Sequence, residues 1–224
     1  MKKLLFFTLC LAAAITTLAQ EAATAINYHQ IAEWAGNQKN EYRALLQRHL
    51  QGDTTLTLQE CQKVYYGFEQ QEAYEPYAVA AGGADSLFQA RDYTRALPLL
   101  LHELERQPVA LSWLRKALTC TIALQGKDHP AARNLLKRYG QLTRAVASSG
   151  SGHSAGDAMK VLRVSDEYEI LTMYLGASKF VQQAIEKGAG GASLDKMTMV
   201  IGGEQKDVYF DITPAFSKLG ELLR

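Results

Sequence analysis

The sequence predicts an α+β protein: tetratricopeptide-like helical hairpins, then a small antiparallel β-sheet with a C-terminal helix. Three observations predict it. Apolar residues recur at helical spacing from about residue 26 to residue 147. A loose internal repeat, offset by 36 residues, lies within that stretch. Beyond the Ser- and Gly-rich segment 148–156 the apolar period changes to two. The expected organisation is a signal peptide over 1–19, a helical portion over 20–147 and an α/β portion over 148–224, the last two packed as one unit.

The first segment reads as an export signal. Lys2 and Lys3 precede the apolar run Leu4 to Ile15, and Thr17-Leu18-Ala19 supplies small residues before Gln20. Cys10 follows Leu9 inside the apolar run, where a lipid-anchor signal would need a small residue. The expectation is a periplasmic or secreted protein, cleaved after Ala19. Without those residues 205 remain, with 22 basic and 23 acidic side chains. That near-neutral balance lacks the basic footprint of nucleic-acid binding. No later apolar stretch reaches the roughly 18 residues of a membrane span.

Residues 26–36 and 40–51 predict two short helices, ended by Gly52-Asp53. Thr57-Leu58-Gln59-Glu60 is a capping box opening a helix to about Gln71. An aromatic-rich bend follows at Tyr74-Glu75-Pro76-Tyr77. Arg91 to Ala96 then recurs loosely as Lys127 to Ala132, and Leu99-Leu100 as Leu135-Leu136, with Gln107-Pro108 breaking one helix and Ala110 to Leu124 forming the next. Two helices per unit at this period is the tetratricopeptide pattern. In the C-terminal portion residues 159–165 predict a strand, and residues 179–187 fit a strand or a helix. Met197 to Ile201 and Asp207 to Ile212 predict a hairpin around Gly202-Gly203. Thr213 is placed to cap a last helix, with Pro214 at its first position.

Several motifs invite chemistry. Gly152-His153-Ser154-Ala155-Gly156 matches the nucleophile-elbow pentapeptide of serine hydrolases. No histidine follows His153, and a helix rather than a buried strand precedes it, so Ser154 reads as a loop or capping residue. The same loop lacks the Lys-Ser/Thr of a phosphate-binding loop, and an ordinary flexible joint is expected there. Asp166-Glu167-Tyr168-Glu169 reads as acidic residues favoured at a helix N-terminus. The histidines are scattered, so neither a metal nor a cofactor is expected. Cys61 and Cys120 leave two readings open. They are buried thiols on helical stripes, or a disulfide contributing about 4 kcal/mol. Of the aromatic group Tyr65, Tyr66, Phe68, Tyr74 and Tyr77, the first three fit a core, while Tyr74 and Tyr77 are the candidates for a surface that binds a glycan or peptide.

Asp53 to Thr57, Val64-Tyr65-Tyr66-Gly67-Phe68, Tyr74 to Tyr77, Ser149 to Gly152, Val164 to Leu171 and Val208 to Ile212 occur in an order that resembles a family of exported Bacteroidetes proteins, domain of unknown function 4919. The resemblance covers most of the chain and implies no activity, cofactor or catalytic residue. The functional expectation is therefore a non-enzymatic protein-interaction or structural role in the cell envelope, with a protein partner of unspecified identity. A glycan- or peptide-binding module using Tyr74 and Tyr77 is the alternative, and a hydrolase using Ser154 a remote one.

Overall fold

The computed structural model describes residues 26–222. The expected signal peptide and its cleavage site lie outside the described residues. Among the described residues the helices are α1 (Tyr28–Asn37), α2 (Lys39–Leu50), α3 (Leu58–Gly67), α4 (Ala84–Gln89), α5 (Tyr93–Arg106), α6 (Leu111–Gln125), α7 (Pro130–Ala147), α8 (Val164–Glu169) and α9 (Thr213–Leu222). The strands are β1 (Met159–Lys160), β2 (Ala177–Lys187), β3 (Ser193–Ile201) and β4 (Glu204–Asp211). Together they make an α+β fold.

Local chemistry sets the helix boundaries. At α3 the Glu60 N–H donates to Thr57 Oγ1 at 3.2 Å, and the Thr57 N–H donates to Glu60 Oε2 at 2.8 Å, completing the capping box. Asp92 Oδ1 receives the Arg95 N–H at 3.3 Å and opens α5, and Pro130 takes the first turn of α7. Helices α5, α6 and α7 pack each on the next, and α7 also packs on α3. α6 is buried over most of its turns, including Trp113, Leu114, Ala117 and Cys120.

The sheet order is β1-β4-β3-β2. Gly202 and Gly203, both at positive φ, make the two-residue turn that pairs Ile201 with Glu204. Met197 and Met199 on β3 and Phe210 on β4 point into the core. Two expectations need correction. The sheet is mixed rather than wholly antiparallel, because β1 pairs parallel to β4, Met159 opposite Phe210. The strand expected over 159–165 stops at Lys160, and the chain turns into α8 at Val164. Residues 179–187 belong to strand β2, exposed along almost its whole length.

The Ser148–Gly156 segment is a packed loop, not a flexible joint. The Gly152 N–H donates to Asp157 O and the Tyr209 N–H to Gly152 O, both at 2.8 Å. A side chain at Gly150 would lie 2.6 Å from the Ala158 carbonyl oxygen. Only glycine tolerates that approach. Ser154 precedes a single 3-10 turn, Ala155–Asp157, and its hydroxyl makes no capping hydrogen bond, so the expected cap is not formed there. Thr213 Oγ1 likewise accepts from the Ser193 N–H at 3.0 Å, tying the start of α9 to β3.

Core residues from Ile31 to Ile212 form one continuous apolar cluster. Three tyrosine hydroxyls bind it to the segment that leads from the helices to the sheet. Tyr66 donates to Lys160 O at 3.0 Å, Tyr74 to Leu162 O at 2.7 Å and Tyr65 to Asp166 Oδ2 at 2.7 Å.

Candidate functional site

Helix α8 is short, yet it meets three features at once: a polar cleft, a buried acid cluster and the open edge of the sheet. Its one-turn extension, Ile170–Tyr174, packs on β2.

The acid cluster lies where the sequence places it, at the start of a helix. Asp166 and Glu167 sit in the first turn of α8, and Asp166, Glu167 and Glu169 are all buried. Asp166 Oδ1 accepts the Leu111 N–H at 3.1 Å and so caps α6, whose own N-cap residue, Ala110, has no capping side chain. Burial raises the Asp166 carboxyl to about 7, against the opposing pull of Arg163 and the Tyr65 hydroxyl. Glu169 receives Arg115 Nε on both oxygens, at 2.9 and 2.7 Å.

Glu167 turns the other way, toward β3. Asp195 acts on it more strongly than Asp166, the other buried acid that does so, and both Glu167 oxygens lack a conventional donor. Two facing carboxyls satisfy each other when one keeps its proton. Burial first, and the Asp195 charge second, push Glu167 up to about 10. Asp195 is also raised by burial and receives the Gln183 side-chain amide from β2. The pair is thus a protonated Glu167 donating to Asp195, with Gln183 as the third member. Glu167 and Asp195 are 0% and 1% exposed, so neither presents an oxygen to a substrate.

The cleft beside α8 encloses about 410 Å³ and carries three cations, Arg115, Lys116 and Arg163. Each is already engaged. Arg115 holds Glu169, and Lys116 Nζ lies 2.6 Å from Asp85 Oδ1. Arg163 donates to Glu75 O and Ala78 O at 2.8 Å and to Gln107 Oε1 at 3.1 Å, while its guanidinium stacks 4.7 Å from the Trp113 ring. These cations are braces between loops, and the cleft offers no uncommitted charge for an anion.

The sheet edge is different. β2 pairs only with β3, so its outer backbone row has no strand beside it among the described residues. It exposes Phe180 at 47%, Val181 at 38% and Ile185 at 52%. Tyr168, Met173 and Tyr174 are also exposed on and just after α8. Large apolar side chains gathered beside an open edge mark an interaction surface.

The residues singled out in the sequence are dispersed. Tyr74 is 4% exposed, its ring set edge-on to Phe68, and it has no place on a binding surface. Tyr77 is 40% exposed, with its hydroxyl on Ala215 O at 3.1 Å. Cys61 and Cys120 are free buried thiols; the disulfide alternative is not formed. Burial raises the Cys61 thiol to about 11. His153 and Ser154 lie on the exposed loop. Among the described residues no group of three His, Cys, Asp or Glu side chains is placed to hold a metal ion, and no helix is long and apolar enough to cross a membrane. The residues that sequence reasoning missed are Arg163, Glu167, Gln183 and Asp195. The only local signal was the density of acids at 166–169.

Fold and surface together describe an α+β domain with an open, apolar-bearing sheet edge. The family model Domain of unknown function (DUF4919) matches residues 29–219, and the chain belongs to that family. No curated protein and no solved structure matches it.

Proposed function

We propose that the protein is a non-catalytic interaction module of the cell envelope that binds protein by adding a strand to β2. One observation carries this reading: an eleven-residue edge strand, exposed on both faces, with Phe180, Val181 and Ile185 open to solvent and no charge between Lys179 and Glu186. Edge strands are normally shortened, charged or covered, because their free N–H and C=O groups template further pairing. Strand addition uses that row for affinity and the alternate side chains for specificity. The helical hairpins α5–α6 and α6–α7 and the 36-residue repeat support a tetratricopeptide-like reading of the helical portion, and Lys2 to Ala19 support export.

The test is photocrosslinking in the native host from a benzoylphenylalanine placed at Phe180, with Leu136 on the exposed face of α7 as control. The expected result is one recurrent adduct from position 180, identified by mass and abolished by Val181→Pro, which removes a β2 amide. No adduct, or the same adducts from position 136, overturns the reading.

A further inference from the structure

We infer that the strand added to β2 is β2 of a second copy, antiparallel across a two-fold axis at Gln183, which joins two four-stranded sheets into one of eight. The inference rests on the strand-addition reading and names its partner. Paired residues share a face of a sheet. Phe180 is opposite Met199, Gln183 opposite Met197 and Ile185 opposite Asp195, so all three lie on the side facing the helices. Lys179, Gln182, Ala184 and Glu186 are opposite Val200, Thr198, Lys196 and Leu194, on the other side. The register slips between Phe180 and Gln182, leaving Val181 as a bulge.

That bulge makes the strand self-complementary. With Gln183 opposite Gln183 of the second copy, faces match only if Gln182 meets Ala184, Phe180 meets Ile185 and Lys179 meets Glu186. The two exposed apolar side chains then cover each other, and each end closes on an opposite-charge pair. Both pairs occur twice, as two-fold symmetry requires. Parallel pairing in register would instead set Lys179 beside Lys179 and Glu186 beside Glu186. An unrelated strand would match this pattern only by accident. The exposed Met173 and Tyr174 follow α8 in the turn that packs on β2, so each copy adds an apolar flank on the helix side of the joint.

Charge reversal tests partner and register together. Sedimentation equilibrium of the purified protein is expected to show a monomer–dimer system. Lys179→Glu or Glu186→Lys puts like charges opposite each other at both ends and weakens the dimer about tenfold. The double variant Lys179→Glu/Glu186→Lys restores it. Lys179 is exposed and Glu186 partly so, and circular dichroism checks that each variant folds. A monomer at every concentration, or a dimer indifferent to the reversals, overturns the inference. A monomer that still gives the position-180 adduct with another protein overturns only the identity of the partner, whereas a monomer with no adduct removes the strand-addition reading as well.

Discussion

Replacing Glu167 by Gln is expected to make the protein more stable as the pH rises, although the residue is fully buried. Glutamine keeps the shape of the side chain and a donor toward Asp195, and it removes the titration. Glu167 has an ordinary value of 4.5 and is held at about 10 by burial and by Asp195. Between those values the folded state binds a proton that the unfolded chain has released, so stability is fully present below pH 4.5 and falls as pH rises. At about 1.4 kcal/mol per pH unit, the 2.5 units from 4.5 to neutrality correspond to about 3 kcal/mol. Urea unfolding followed by tryptophan fluorescence, from about pH 5 to about pH 9, reads this directly. The Asp166 carboxyl, raised to about 7, titrates in both proteins and largely cancels in the comparison. The stability of Glu167→Gln relative to the unmodified protein should rise with pH at that same slope. A difference constant across that range would refute the shared-proton pair.

Three other outcomes follow from the packing. Tyr65→Phe removes a hydroxyl that donates to Asp166 and accepts the buried Leu162 N–H at 3.1 Å, and should lower stability by about 3 kcal/mol with an unchanged urea m-value. Gly150→Ala forces a methyl against the Ala158 and Asp157 carbonyls and should cost more than about 2 kcal/mol, whereas the same change at Gly156, where the space is open, should be nearly neutral in a thermal melt. Cys61 and Cys120 should resist a thiol reagent in the folded protein and react together in denaturant, and reductant should leave the thermal midpoint unchanged.

The sequence displays those parts of the fold that short-range chemistry decides. The Thr57–Glu60 capping box, the Gly202-Gly203 hairpin and the helix break at Gln107-Pro108 all depend on residues a few positions apart, and all are present. β2 was ambiguous for a physical reason. A strand exposed on both faces has no buried side to impose period two, and the Val181 bulge breaks what alternation remains. The acids of α8 sit in its first turn as their sequence position predicts, but their burial is not legible there because it is decided far away in the chain. Asp166 is held by Tyr65 and by the start of α6, and Glu167 by Asp195 on β3. Tyr74 misled for the same reason: its partner is the Leu162 carbonyl, and nothing beside it in sequence announces that bond.

The central claim, that β2 is a self-complementary edge, meets its most direct test at the two-fold axis. Gln183→Cys places one thiol per copy where the two strands meet at the axis, and the native thiols are buried. Mild oxidation should link the chains into a covalent dimer through position 183, retained in denaturant and released by reductant. The same treatment of Leu136→Cys should give no more than background. Equal linkage from the two positions, or none from position 183, would contradict the account.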